Sequence, residues 1–336
     1  MGRAPKIFNK NVKFYYSLSI RKCCLVFISY GWCYLAIGCL AMAMFPLAFV
    51  EMGFAHSGMD PEIHEITHEL EDNPENVELL IKRGRLFRTN GKFAESLKDL
   101  DLAKGLDPDN RMITFERGFT LSAIGRNTEA EIAFDQYLEK ASGRTQLDAL
   151  AERAHIRART GQVSLAIADF NSAIRMHPAM SLYLALGEIH ESLGQFEEAA
   201  SGYREGLSQL GNAILLKKGL IRVEMKRKRY DEVLALIDEE LDRASVKTGW
   251  HMRRAEVLAA MGKDQAAQSA QEEALTEANR VLGERLTAIH LVSRARVFSA
   301  MGRLQKAKDD LQLAVQRVPR YAQAKEMLKK LEANKQ

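Results

Sequence analysis

Residues 23 to 50 carry no charge, and beyond residue 60 the apolar positions fall on a helical period that restarts again and again. Ile63, Ile66 and Leu70 stand at i, i+3 and i+7, the stripe of one short amphipathic helix, and Asn73-Pro74-Glu75 ends it. From Val77 onward a longer period takes over. Gly91, Gly125, Gly161, Gly194, Gly262 and Gly302 mark turns, with Lys228 standing where a seventh glycine is expected. Most of the steps between these turns are close to the roughly 34-residue period of a helical-hairpin repeat, and the last is longer. At a fixed distance before each turn sits a small residue: Gly84, Gly118, Ala154, Gly187, Ala255 or Ala295. At a fixed distance after it sits Ser96, Ala130, Ala166, Ala199, Ala267 or Ala307. About one helical turn further on comes, in most units, a bulky residue such as Leu100, Phe134, Phe170, Tyr203, Ile237 or Leu311. Small residues let two antiparallel helices approach closely, and the bulky residue is expected to fill the gap to the next unit. The pattern predicts seven helix-turn-helix units over Val77 to Pro319; Ile221 and Val233 at the small positions make the fifth the most worn. A last helix is expected from Arg320, with Tyr321, Ala324, Leu328 and Leu331 on one stripe, shielding the end of the array.

The stretches ELLIKRGRLFRTNGKFAESLKDLDLAKGLDP, DALAERAHIRARTGQVSLAIADFNSAIRMHP and ALGEIHESLGQFEEAASGYREGL carry this code most fully. They resemble the tetratricopeptide repeat family, with its W-x2-L-G-x2-Y, A-x3-F and P pattern, although the first Trp is missing throughout. The arrangement also resembles uncharacterised exported bacterial members of that family. The resemblance implies an all-α fold, a right-handed superhelical solenoid of about seven units with N- and C-terminal capping helices. The expected divisions are an export segment (1–55), a capping helix (56–76), units at about 77–110, 111–146, 147–179, 180–213, 214–247, 248–287 and 288–319, and a capping helix (320–336).

The resemblance further implies that the first helices of successive units line a concave groove holding a partner's peptide. Carried over unit by unit, the groove positions are Arg85 and Arg88, Phe115 and Phe119, then His155 and Arg159. Beyond them come Glu188 and Glu191, then Lys218, Arg222 and Lys226. The first group reads as an apolar floor flanked by arginine, suited to a segment with Phe or Leu between acids. The Lys and Asn that clamp a C-terminal carboxylate in chaperone-binding members are replaced by Ile81 and Arg85 in the first unit and by Phe115 and Phe119 in the second.

Charge and cysteine divide the chain at about residue 55. The chain has 48 Lys and Arg against 44 Asp and Glu. Segment 1–55 holds six of those cations and a single acid, Glu51, so the body is left at −1, which gives no case for nucleic-acid binding. Cys23, Cys24, Cys33 and Cys39 are the only cysteines, so the body has no thiol nucleophile, Cys-based zinc site or disulfide. Basic residues before a long uncharged run predict N-in, C-out export across a bacterial inner membrane. Three fates are open. Cleavage after Gly53-Phe54-Ala55 would expose His56; residues 23–50 could remain as an anchor; Leu35-Ala36-Ile37-Gly38-Cys39 resembles a lipobox, although residues 40–50 stay apolar.

His64-Glu65-Ile66-Thr67-His68 spells the zinc-hydrolase pattern H-E-x-x-H. The apolar stripe on Ile63, Ile66 and Leu70 places Glu65, His68 and Glu69 on the outside, and a helical array supplies no strand or third ligand. The stretch therefore reads as the lid of the array. No phosphate loop, dinucleotide fingerprint or nucleophile elbow occurs. The run Lys226-Arg227-Lys228-Arg229 falls on a turn and reads as a solvated loop. Arg83 with Asp99, Arg153 with Asp169, and Arg294 with Asp310 share one spacing at matching repeat positions. They predict ion pairs between the two helices of a unit, of the exposed kind worth about 0–1 kcal/mol. The sequence thus points to an exported adaptor or assembly scaffold with no catalytic residue, cofactor or resident metal, binding a protein or peptide in its groove. The alternatives are zinc chemistry at His64, Glu65 and His68, and a self-associating structural array.

Overall fold

The computed structural model describes residues 60–333; the expectations for residues 1–55, including cleavage after Ala55, the span 23–50 and lipidation at Cys39, lie outside the described residues. Among the described residues all regular structure is helical. A lid, α1 (Pro61–Asp72), precedes seven antiparallel pairs. These are α2 (Val77–Thr89) with α3 (Phe93–Leu106), α4 (Arg111–Ala123) with α5 (Asn127–Leu138), and α6 (Gly143–Arg159) with α7 (Val163–Met176). They continue with α8 (Met180–Ser192) and α9 (Phe196–Leu210), α10 (Ile214–Lys226) and α11 (Tyr230–Arg243), and α12 (Thr248–Ala260) and α13 (Asp264–Glu284). The last pair is α14 (Ala288–Ala300) with α15 (Leu304–Arg317), and α16 (Ala322–Ala333) closes the array. Each pair contacts the next, as in a solenoid.

Both ends are sealed by the apolar stripes read from the sequence. Ile63, Ile66 and Leu70 of α1 are buried, the latter two in a cluster with Leu80, Leu100 and Ile113. At the other end Ala324 is fully buried, with Tyr321, Leu328 and Leu331 packed around it.

The small positions work as contact points, although not in the direction expected. A Cβ on Gly84 would lie 3.1 Å from Leu100, on Gly118 2.9 Å from Phe134, and on Gly187 2.3 Å from Tyr203. The bulky residue therefore sits first against the small residue of its own pair, where the interhelical gap is narrowest. Tyr203 alone of these three also meets a glycine of the following unit, Gly219, on its other side.

Each turn glycine stands at positive φ, from +71° to +84°, and Lys228 is the one non-glycine residue there (φ +59°) among the described residues. A left-handed L-residue costs roughly 1–2 kcal/mol, part of which glycine returns through its freer unfolded state. Lys228→Gly is expected to stabilise the fifth unit by about 0.5–1 kcal/mol. An upward shift of the urea midpoint checks this; an unchanged or lower midpoint contradicts it.

The fifth unit departs from its neighbours. Ile221 and Val233 are buried where the other units have small residues, and α10 packs more extensively against α9 than against its own partner α11. Charge fills part of the gap. Lys217, 3% exposed, donates to Glu240 (2.5 Å) and Glu239 (3.1 Å) on α11. Glu224, fully buried, accepts from Arg204 of α9 and from Arg227 (2.8 Å).

The recurrent Arg–Asp pairs form in all three units as bidentate bridges of 2.7–2.8 Å. Their acids are only 5% exposed, so the expectation of exposed pairs is corrected: the long guanidinium stem reaches over the pair crossing while the carboxylate sits inside it. Where a unit lacks that acid on its second helix, its arginine turns back to the second helix of the preceding unit, as in Arg117 to Asp101 (3.1 Å) and Arg254 to Asp238 (3.7 Å).

Candidate functional site

First helices of neighbouring units adjoin one another: α2 meets α4, α4 meets α6, and α8 meets α10. The side chains they share form a band of paired charges and aromatic rings. Its first part is centred on Glu116, which is 2% exposed. Arg85 Nε donates to its Oε1 at 2.5 Å and Arg88 Nη2 to its Oε2 at 3.2 Å. The two arginines expected to await a partner's acids are therefore already tied to a carboxylate of the next helix. A charge this buried requires such partners, because an uncompensated carboxylate would be costly to desolvate.

The two phenylalanines have different roles. Phe115, 6% exposed, lies edge-on to Phe119 (4.9 Å) and tilted against Tyr137 (4.8 Å). It packs between helices and supports Phe119 from beneath, where the sequence reading had placed it in the groove floor. Phe119 is half-buried, meets Phe134 edge-on at 5.1 Å, and is capped by the Arg88 guanidinium at 5.3 Å. Only the second ring offers a face to a ligand.

On α6, His155 stands edge-on to Phe170 at 5.0 Å, and burial lowers its pKa, aided by the Arg159 charge and opposed by Glu152. It is thereby held towards the neutral form at neutral pH, able to accept as well as donate a hydrogen bond. Arg159 is exposed and donates to Ser122 Oγ (2.9 Å) and Asn127 Oδ1 (3.2 Å), while Ser122 Oγ donates to Glu152 (2.5 Å). Arg85, Arg88, Phe119, His155 and Arg159 thus line one band across three units.

Further along, Glu191 accepts two hydrogen bonds from Arg222 (2.6 and 2.9 Å) and one from the Tyr203 hydroxyl (2.8 Å). Burial works to raise its pKa, but these donors outweigh it and hold the carboxyl below its ordinary value. Tyr203 is pushed far above the usual phenol range by burial and by Glu191. Partial burial raises Glu188, against the pull of Arg222 and with the help of the Glu191 charge. Lys226 lies over the Phe196 ring at 4.8 Å, and Arg227 is tied to Glu224 and Glu197. Two members of the basic run are thus engaged within the fold.

Glu116, Ser122 and Glu152 were missed by the sequence reading, yet a spacing signals such contacts. Arg85 and Glu116, Glu191 and Arg222, Glu131 and Gln162, and Glu272 and Arg303 are all hydrogen-bonded across the same separation, one repeat less about one helical turn. That offset joins a residue to its neighbour one turn earlier in the next unit.

His64, Glu65 and His68 lie on the outer face of α1, away from its buried stripe. Among the described residues no group of three or more His, Cys, Asp or Glu side chains is arranged to hold a metal. Zinc chemistry would need further ligands and a shielded face, and α1 turns its shielded face to the core.

Two tetratricopeptide repeat models match the chain, one over residues 81–145 and 152–212 and the other over 247–320, together more than half of it. The stretch between the matches holds the irregular fifth unit. No curated protein matches the chain. Among solved structures, the C-terminal part of a tetratricopeptide repeat-containing protein from Cytophaga hutchinsonii is similar, with 15% identity and a TM-score of 0.53 over 73% of this chain and 98% of that one. A tetratricopeptide repeat protein from Parabacteroides merdae is also similar, with 21% identity and a TM-score of 0.46 over 76% and 98%. At 15% identity the first of these likenesses speaks to fold alone. The repeat code, the paired helices and the model matches agree: the chain belongs to the tetratricopeptide repeat family.

Proposed function

We propose that this protein is an extracytoplasmic adaptor that holds a segment of a protein partner across the first helices of its opening three units. The family fold is a protein–protein interaction scaffold, which gives the general class. The observation that carries the finer reading is the half-buried Phe119 ring, held between Arg88 and Phe134, with the neutral-leaning His155 at the matching place of the next unit. An apolar partner side chain against Phe119 would displace water from a rigid surface, at little ordering cost to the array. Arg85, Arg88 and Arg159 face Glu116 and Glu152, so the band keeps one surplus positive charge and suits a partner acid beside the apolar residue. Six cations ahead of the uncharged run 23–50, with a cysteine-free body behind it, support export, with the N-terminal segment as cleaved signal or membrane anchor. A self-associating array remains the rival reading.

Affinity capture with an Arg85→Gln/Arg159→Gln variant tests this. Both side chains are substantially exposed, an amide at position 85 can still donate to Glu116, and Arg88 stays in place, so the fold should persist, which circular dichroism checks. The partner is expected to bind more than about tenfold more weakly, a loss of about 1.4 kcal/mol. Equal capture by the variant and the parent would defeat the proposal.

A further inference from the structure

In the C-terminal half, one edge of the array has a composition that neither the core nor the first-helix band explains. It consists of the three links that join a second helix to the next first helix. Each link exposes an aliphatic side chain, Val246 (48% exposed), Leu286 (44%) or Val318 (44%), and Ile289, in the first turn of α14 beside the second link, is 67% exposed. The links adjoin. Arg280 of α13 donates to Ser245 O (3.2 Å) and Glu277 accepts from Lys247 N (3.0 Å), tying the first link to α13. Arg317 donates to Leu286 O at 3.3 Å, tying the second link to the third.

The charge on these links has one sign. Segments 243–247, 285–289 and 317–320 contain five cations and no carboxylate. Arg243 is paired with Glu239, whereas Lys247, Arg285 and Arg320 have no ion-pair partner among the described residues. Of the nearby acids, Arg280 holds Glu277 and Glu284 and Arg243 holds Glu239, while Asp242 is exposed beside the first link, so the links keep a positive surplus. Exposed aliphatic side chains in clusters mark interaction surfaces. Unpaired cations interleaved with them fit a surface that is apolar below and anionic above.

We infer that this edge docks on an anionic phospholipid surface. Ile289, Leu286, Val246 and Val318 enter the headgroup boundary, while Lys247, Arg285 and Arg320 meet lipid phosphates. A protein interface would instead be expected to mix charges and to present aromatic anchors; the charge here has one sign, and Tyr321, the aromatic residue of the third link, is half-buried against the C-terminal cluster. The edge is separate from the band around Phe119, so the array can be held at a membrane while that band stays open.

The test uses the full-length chain with an environment-sensitive fluorescent amino acid at position 289, or at Leu193 in a first-to-second-helix turn, 47% exposed, as control. Vesicles are phosphatidylcholine alone or an equimolar mixture with phosphatidylglycerol. The expected result is a blue shift at position 289 on the anionic vesicles only, and none at 193. Replacing Lys247, Arg285 and Arg320 by Gln should raise the lipid concentration giving half the shift about a hundredfold, roughly fivefold per lost charge. These side chains make no contact in the core, so circular dichroism should be unchanged. Vesicle binding with position 289 still in water would mean that another part of the chain docks, and would overturn the inference. An equal shift on neutral vesicles, or a shift caused by self-association without lipid, would overturn it too.

Discussion

Gly187→Ala is expected to destabilise the fourth unit by about 2–3 kcal/mol, although alanine is the better helix former by roughly 1 kcal/mol. The added Cβ would stand 2.3 Å from Tyr203 Cζ and 2.6 Å from its hydroxyl. A ring tip can usually swing aside, but this one has nowhere to go. Tyr203 is fully buried, its other face lies against Gly219, and its hydroxyl donates to Glu191. Moving it would also loosen Glu191 and Arg222, the charge pair joining α8 to α10. The same change at the matching position of the first unit is the control. In Gly84→Ala the new Cβ meets Leu100 at 3.1 Å, and a small shift of that flexible side chain relieves it. That substitution should stay within about 0.5 kcal/mol of the parent, because helix propensity offsets the crowding. Hydrogen exchange of amides in α8, α9 and α10 reads the difference unit by unit, which suits an array whose units need not unfold together. A double substitution, Gly187→Ala with Tyr203→Leu, should cost less than the sum of its parts, since Ala295 with Leu311 is this combination in the seventh unit. Equal costs at 84 and 187 would show that the Tyr203 contact does not set the spacing of α8.

Asp169→Ala is expected to cost about 3 kcal/mol, far more than a surface ion pair would. Asp169 accepts from Arg153 twice (2.7 and 2.8 Å) and from Arg157 once (2.8 Å), inside the crossing of α6 and α7. Removing it strands two guanidinium groups whose side chains are 15% and 12% exposed. Asp135 and Glu131 still hold them in part, which keeps the loss near the lower end for a broken buried pair. Asp101→Ala is the counterpart on the surface. Its bond to Arg117 is open to solvent on both sides, and its loss should cost no more than about 0.5 kcal/mol. Urea unfolding of the two variants compares them directly. Similar small losses would mean that the recurrent Arg–Asp pairs merely decorate the array.

The sequence made the helical pairs legible because every unit repeats the same local problem. A small residue must face a bulky one, and the turn must accept a left-handed residue. Lys228 could be assigned to that turn from its place in the period, and its φ of +59° agrees. The recurrent Arg–Asp spacing was equally readable, since it links two helices of one unit whose register the turn fixes. Contacts between units were harder. Whether Arg85 faces a ligand or Glu116 depends on how far α4 is rotated against α2, which no single unit encodes. Phe115 and Phe119 stand one turn apart on one helix face, yet one is buried against Tyr137 and the other half-open. The fifth unit hid its chemistry for another reason: Lys217 and Glu224 look like surface charges in a worn repeat, yet Lys217 is buried against Glu239 and Glu240 of α11 and Glu224 against Arg204 of α9 and Arg227, partners that lie in other helices or past the turn.

The measurement that bears most directly on the adaptor reading is in-cell photocrosslinking. A photoreactive amino acid is placed at Phe119, at His155 and, as control, at exposed Leu165 of α7, and the captured peptides are identified by mass spectrometry. One dominant partner segment is expected, shared by positions 119 and 155 and absent from 165. Captures common to all three positions, or only second copies of this chain, would contradict it.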